Sequence, residues 1–174
     1  MGEGETSATP ELRGALVALR APRPDDAEPL LRIVSEPAVA RWWPPHDIED
    51  VRRDFLGGGY GWVIVSGDEV AGWLEFDEHD DPMYRWVGLD IFVATEHHGR
   101  GHAREALRLA IGHFVGRGHH RFTIDPAVDN ERAIGAYAAV GFRPVGVMRS
   151  YERGSDGTLR DSLLMDLLAE ELVE

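Results

Sequence analysis

The sequence predicts a single mixed α/β domain of the α+β kind. Three observations predict it. Strand-like runs over residues 60–65 and 69–76 flank Ser66-Gly67-Asp68, a hairpin turn signal. Ala103, Ala106, Leu107, Ala110, Ile111 and Phe114 recur at helical spacing. Helical and strand segments are interspersed with no internal repeat and no linker, so the 174 residues read as one domain.

In chain order, residues 1–11 are polar and glycine-rich and are expected as a loose N-terminal tail, with the domain running over 12–174. Residues 15–20 read as a first strand. Arg23-Pro24-Asp25-Asp26 has the chemistry of a helix start, continued over 27–34. Trp42-Trp43-Pro44-Pro45-His46 must be a loop, because proline lacks the N–H that a helix interior needs. Residues 47–56 read as a second helix, stopped by Gly57-Gly58-Gly59. After the hairpin, an acidic stretch at 77–81 leads to a strand over 83–93. The amphipathic helix turns Arg104, Glu105 and Arg108 to its other face and ends near Gly116-Arg117-Gly118. A strand over 120–125 follows, then a helix over 130–140 closed by Gly141 in a C-terminal cap position. Two last strands, 142–149 and 159–168, are joined by Gly154-Ser155-Asp156-Gly157.

The chain has 31 acidic and 18 basic side chains, a formal charge of −13. Such a surface repels nucleic-acid phosphate and attracts a cation, ideally a polycationic small molecule or a basic peptide; solubility alone would also account for it. With no cysteine there is no disulfide, thiolate nucleophile or Cys-based metal site. No basic-then-apolar leader opens the chain and no apolar run approaches ~20 residues, so a cytoplasmic protein with no membrane partner is expected, as monomer or homodimer. His97, His98, His102, His119 and His120 invite a metal reading, but no acidic or cysteine ligand falls at a standard spacing around them, and no metal is expected.

The segment His98-Gly99-Arg100-Gly101-His102-Ala103 follows a strand and opens the amphipathic helix. Gly99 and Gly101 let backbone approach a ligand closely. The free N–H groups of a helix's first turn, with its dipole, suit a pyrophosphate, and Arg100 can add a charge-assisted contact. This is neither the dinucleotide pattern, which needs a third glycine, nor the Gly-Lys-Ser/Thr ending of a nucleoside-triphosphate loop. The segment resembles the signature of the GNAT superfamily of N-acetyltransferases, Q/R-x-x-G-x-G/A after the fourth strand. Gly101 and Ala103 match the glycine and the final small residue; His98 stands where the family has Gln or Arg. Asp125 to Tyr137, followed by Gly141-Phe142, resembles the family's second cofactor segment. The resemblance implies a GNAT-type acyl-CoA N-acyltransferase fold, a central, mostly antiparallel mixed sheet flanked by helices, whose middle strands part to admit acetyl-CoA as cosubstrate. Asn130 would contact the cofactor, and Tyr137 would lie near its sulfur and act on the departing thiolate. The backbone of Ile91, Phe92 and Val93 would supply an N–H to the tetrahedral intermediate.

A narrower resemblance is to the aminoglycoside 6′-N-acetyltransferases. Val39-Ala40-Arg41-Trp42-Trp43, Gly88-Leu89-Asp90 and Asp125-Pro126 with the helix to Tyr137 carry it. It implies acetyl transfer to an amine of a polycationic aminoglycoside, an antibiotic-resistance activity, with Asp90 and Asp125 as substrate-binding acids. Acetylation of protein N-termini, or of another small amine such as a siderophore precursor, is the alternative, and a non-catalytic acyl-CoA sensor is a rival of another class. A protonated amine has no lone pair, so a carboxylate that holds the cation and takes its proton is needed; Asp90 is the first choice. Other roles stay open. Asp90 could be a strand-end acid with no role, Asp125 could simply open a turn, Asn130 is a natural N-cap, Tyr137 sits on an apolar face, and Trp42 and Trp43 could pack rather than form a wall for sugar rings. The cluster Glu75, Asp77, Glu78, Asp80, Asp81 reads either as a solvated face or as a rim for a cationic substrate.

Overall fold

The computed structural model describes residues 9–173. Of the expected tail, residues 1–8 lie outside the described residues, while the Pro10 carbonyl accepts the Trp62 indole N–H at 2.9 Å. The elements are β1 (Leu12–Arg13), β2 (Ala18–Arg20), α1 (Ala27–Val34), α2 (Pro37–Ala40), α3 (Ile48–Val51), β3 (Gly61–Ser66), β4 (Glu69–His79), β5 (Trp86–Val93), α4 (His102–Gly116), β6 (Arg121–Ile124), α5 (Glu131–Ala138), β7 (Arg143–Arg153) and β8 (Leu159–Leu168). The strands form one sheet in the order β1-β2-β3-β4-β5-β6-β8-β7, antiparallel except at β5–β6. The GNAT-type architecture that the resemblance implied is thus the one observed.

Several boundaries differ from the sequence reading, each for a local reason. The strand expected over 15–20 is β2, which begins at Ala18, and the short β1 before it was not foreseen. The N–H groups of Ala15, Leu16 and Val17 donate to the Glu105 carboxylate at 3.0, 2.7 and 2.7 Å, which takes them out of any ladder and ties the opening hairpin to α4. The short α2, with Pro37 at its first position, was not foreseen. The helix expected over 47–56 is α3, capped by Asp47 at 2.9 Å on the N–H groups of Glu49 and Asp50, followed by a π-helical turn, Arg52–Leu56. β4 runs three residues further than expected, so Asp77, Glu78 and His79 pair with Gly88, Val87 and Trp86. β5 starts at Trp86 rather than 83 because Asp81 holds a turn, its side chain accepting the Met83 N–H at 2.8 Å and its carbonyl the Tyr84 N–H at 3.0 Å.

The pleat sorts side chains onto two cores. Leu74, Val87, Leu89, Ile91 and Val93 pack with Leu107, Ile111 and Phe114 of α4. Val63, Trp73 and Phe92 pack on the other face with Leu30 of α1, Val51 of α3 and Phe55. Leu107, Ile111 and Phe114 are fully buried, and each contributes about 1.5–3 kcal/mol by burial, which fixes α4 as the central helix.

The sheet splits in the middle. β5 and β6 pair only at Val87↔Phe122 and Gly88↔Thr123. β5 continues to Val93, while the chain after β6 leaves it. The Pro126 carbonyl accepts the Leu163 N–H at 2.8 Å, and Ala127 bridges to Ser162 of β8. The chain therefore follows β8, and a gap opens beside Leu89 to Val93.

Candidate active site

Backbone alternation decides what β5 offers to that gap. The Ala94 N–H donates to the Ala71 carbonyl at 2.8 Å, and Phe92 and Asp90 lie two and four residues back, opposite Trp73 and Glu75. In an antiparallel ladder alternate residues bond the same neighbour, so the peptide groups of Asp90 and Phe92 serve β4 while those of Ile91 and Val93 face the gap. Of the three residues expected to present an N–H, Phe92 therefore does not. The Ile91 N–H donates to Asp90 Oδ1 at 2.9 Å, which leaves Val93 as the donor of the trio facing the gap.

A cavity of about 580 Å³ passes through the gap. Asp90, Ile91, Phe92 and Val93 of β5, His98, Gly99, Gly101, His102 and Ala103 of the loop and helix start, and Asp125, Asn130 and Tyr137 of the following segment all line it, as do Trp42 and Trp43. Arg100 is exposed and is not among the lining residues.

Gly99 and Gly101 have φ of +72° and +87°, the left-handed region that favours glycine, and a Cβ at Gly99 would meet nothing within 4 Å. Conformation, more than the expected close approach, is what requires glycine at 99. Gly101 is the N-cap of α4 and brings no side chain to its first turn, in contrast to Asp47 at α3 and Asn130 at α5, whose Oδ1 accepts the Ala133 N–H at 3.2 Å. The bare first turn, set beside the cavity, fits a diphosphate. His102 is 8% exposed; its Nε2 meets Ser66 Oγ at 3.1 Å and its ring stacks on His97 at 4.4 Å, so its imidazole is committed to packing. His98 joins two walls: its Nε2 contacts the Val93 carbonyl at 2.9 Å and its Nδ1 meets the Arg132 guanidinium at the start of α5.

The acid side of the cavity holds the carboxylates of Asp90, Asp125 and Glu152, and Glu75 adds a fourth from β4 beside Asp90. Asp90 is open to solvent, but the cleft walls crowd it. Desolvation pushes its pKa up to about 8, against the Ile91 N–H and with help from the charges of Glu75, Asp125 and Glu152. Burial also raises Asp125, Glu75 and Glu152. Glu75 stands directly opposite Asp90 across the β4–β5 ladder. Tyr137 is 7% exposed, and burial together with the charges of Asp90 and Asp125 keeps its phenol protonated. A second cavity of about 250 Å³ adjoins the first through Asp90, Asp125 and Tyr151, and extends to Asp77, Trp86 and Met148.

The two tryptophans differ. Trp43 lies edge-on to Phe92 at 4.9 Å and to Phe55 at 6.2 Å, within the second core. Trp42 stacks under the Arg41 guanidinium, 4.6 Å from its ring. The sequence cluster of acids also divides by the pleat. Glu75 and Asp77 reach the second cavity, whereas Glu78 and Asp80 meet His119, Arg117 and Arg85 on the far side. Glu78, Asp80 and His119 lie within 4.8 Å of one another, with Arg117 on Glu78 at 3.0 Å and Arg85 on Asp80 at 2.6 Å. Sequence reasoning missed Arg132, Tyr151 and Glu152. Tyr151 and Glu152 come from β7, which only the tertiary topology brings to the cleft. Glu75 was noted only as part of an acidic cluster; its place beside Asp90 follows once the β4–β5 register is known. No helix among the described residues is long and apolar enough to cross a membrane.

Comparison with known proteins agrees with this geometry. The sequence profile of the acetyltransferase (GNAT) domain matches residues 17–143. Human N-acetyltransferase 8B is 29% identical over 105 residues, which is 58% of this chain and 46% of that protein. The chain spans about half the length of the curated relatives it matches. Among solved structures, Mycobacterium smegmatis RimJ in complex with CoA-disulfide superposes with a TM-score of 0.79 at 28% identity, covering 100% of this chain and 93% of that one. A GNAT-family acetyltransferase from Bacillus anthracis gives 0.81 at 16% identity, covering 93% and 100%, a likeness of fold alone. The profile takes in the sheet through its split, the glycine turn and α5, and on that ground the chain belongs to the GNAT acetyltransferase family.

Proposed function

We propose that the chain transfers an acetyl group from acetyl-CoA to a primary amine of a cationic acceptor, by direct attack of the amine. The observation that carries this reading is the Asp90 carboxylate at the β5–β6 gap, flanked by Glu75, Asp125 and Glu152. Acetyl-CoA fits the other side of the gap, where the bare first turn of α4, the two positive-φ glycines and Asn130 would hold it; RimJ, matched over 93% of its length, is in complex with CoA-disulfide. When bound it supplies an acyl thioester.

The chain's own residues then divide the work. The four carboxylates attract an ammonium. Asp90 accepts its proton, and a pKa near 8 brings this base closer to an alkylamine than an ordinary carboxylate would be. Val93 directs its N–H at the gap, where negative charge develops on the carbonyl oxygen. Tyr137 holds its own proton firmly, so it serves the departing thiolate as a hydrogen-bond donor.

For the acceptor, the sequence resemblance at Trp42-Trp43, Asp90 and Asp125 supports an aminoglycoside 6′-amine. A second reading, acetylation of a protein α-amine, is favoured by the adjoining cavity lined by Glu75, Asp77, Trp86 and Tyr151, which gives room for a chain beyond the reacting amine. A thiol-release assay with kanamycin, tobramycin and a set of basic peptides separates them. Turnover of aminoglycosides alone is the expected result. Peptide turnover without aminoglycoside turnover selects the second reading, and failure to bind acetyl-CoA would overturn both.

A further inference from the structure

His98 occupies the position where the resemblance expects Gln or Arg, and its surroundings explain how an imidazole serves there. Its Nε2 lies 2.9 Å from the Val93 carbonyl, which can only accept, so Nε2 carries the hydrogen and donates it. Its Nδ1 faces the Arg132 guanidinium, which can only donate, so Nδ1 is the bare acceptor. Both contacts are satisfied by one state alone, the neutral Nε2–H tautomer. A glutamine amide offers the same pair of functions, one N–H and one oxygen, without titrating. An arginine offers donors only and would face Arg132 as a second cation.

The two partners belong to different walls of the cleft. Val93 ends β5 and presents its N–H to the gap; Arg132 sits in the first turn of α5, two residues after Asn130. His98 itself precedes Gly99 and Gly101, whose positive φ values shape the turn into α4. One imidazole thus ties together the strand edge, the glycine turn and the second cofactor helix.

We propose that His98 is a positioning residue that does a glutamine's work in its neutral tautomer, and that in this chain acidification releases the latch and weakens CoA binding. This rests on the acetyl-CoA reading above. The sign follows from the contacts. Protonation puts a hydrogen on Nδ1, which then meets Arg132 donor to donor and cation to cation. The groups facing the ring are the Val93 carbonyl from β5, Arg132 from α5, Glu36 from the segment before α2, and the neighbouring His97. Burial, then the charges of Arg132 and His97, lower the pKa of His98 against the Val93 carbonyl and Glu36, so the neutral form holds at pH 7 and the switch lies below the ordinary histidine value.

The test has two arms. In the ligand-free protein, ¹⁵N shifts of the His98 ring should report the Nε2–H tautomer at pH 7.5 and a pKa below ~6.5. A ring in the Nδ1–H tautomer, or one protonated at neutral pH, overturns the latch whether or not CoA binds. In the second arm, CoA affinity is measured by calorimetry from pH 7.5 to 5.5 for the wild type, His98→Gln and His98→Ala. Loss of a hydrogen bond of this kind predicts binding about three- to tenfold weaker for His98→Ala at pH 7.5, and an acid-side loss of similar size in the wild type. His98→Gln should restore the affinity and lack that acid-side loss. Titration of the cosubstrate's own phosphate is common to all three proteins and cancels in the comparison. An acid-side loss in His98→Gln equal to the wild type's, or a His98→Ala protein that binds as tightly as the wild type, overturns the proposal. Failure of the wild type to bind CoA at any pH removes the affinity claim and the acetyl-CoA reading together, while the ring shifts still decide the latch.

Discussion

The Asp90–Glu75 pair makes the function testable through pH. With a pKa of about 8, Asp90 is only about one-tenth ionised at pH 7. If it is the base, kcat/KM for the acceptor rises about tenfold between pH 7 and pH 9, after correction for the acceptor amine's own ionisation. Two acceptors of different amine pKa separate the enzyme's limb from the substrate's. Glu75→Gln then sharpens the attribution. Its carboxylate stands directly opposite Asp90 on neighbouring strands, and such like-charge pairs cost about 0.2–1 kcal/mol. At 1.36 kcal/mol per pKa unit, removing that charge lowers the Asp90 pKa by about 0.1–0.7 unit. The acid limb moves down by that amount, and the protein gains stability of the same order in urea titration at pH 9, where Asp90 is ionised. Asp90→Asn should abolish the limb and cut kcat/KM by roughly 10²–10⁴. A limb unmoved by Glu75→Gln, or one that survives in Asp90→Asn, would refute the assignment of the base.

Three further outcomes follow from contacts elsewhere in the fold. Asp26 is 4% exposed, accepts two bonds from Arg20 at 2.8 Å and takes the Arg23 N–H at 2.6 Å; Asp26→Ala should cost about 3–5 kcal/mol in denaturant unfolding. Burial would raise the pKa of Asp26, but those bonds bring it below the ordinary value, so its stabilisation is present above pH ~4 and is lost as pH falls through the lowered pKa, visible as a Tm that drops at acid pH in the wild type more than in Asp26→Asn. Gly101→Val places a branched residue at φ +87°, a strain of at least about 1–2 kcal/mol, and should weaken CoA binding in calorimetry; unchanged affinity would remove the glycine turn from the cofactor site. Trp43→Ala should lower stability by about 3 kcal/mol through its contacts with Phe92 and Phe55, whereas Trp42→Ala should leave Tm nearly unchanged and raise the acceptor KM.

Long-period features were legible in the sequence. The apolar spacing from Ala103 to Phe114 gave α4, and Ser66-Gly67-Asp68 gave the β3–β4 hairpin, because each depends on neighbours close in the chain. Features set by distant partners were not. Residues 15–17 read as strand and would have been one, had Glu105 not taken their N–H groups from about 90 positions away. The acidic run at 77–81 read as one cluster, yet the pleat sends Asp77 to the acceptor side and Glu78 to His119. The separation of Trp42 from Trp43 likewise depends on where Phe92 lies.

The irregularities of this sheet coincide with its chemistry, and each has a local cause. Beyond β6 the chain follows β8, with the Pro126 carbonyl on the Leu163 N–H, so the gap opens beside the peptide groups of Ile91 and Val93. Two glycines hold φ values that other residues resist, and the helix they start has no capping side chain of its own. Glu75 and Asp90 set two carboxyls opposite each other, an arrangement that costs stability once both ionise and that a sheet built only to fold would avoid. A bound ammonium reverses the sign of that last cost. The repulsion that raises Asp90 in the free protein becomes attraction between both carboxylates and one cation, and the same pair that destabilises the empty cleft then holds the substrate. Thermal stability should accordingly rise more with a polycationic acceptor in the wild type than in Glu75→Gln. An equal rise in the two proteins would mean that Glu75 takes no part in holding the acceptor.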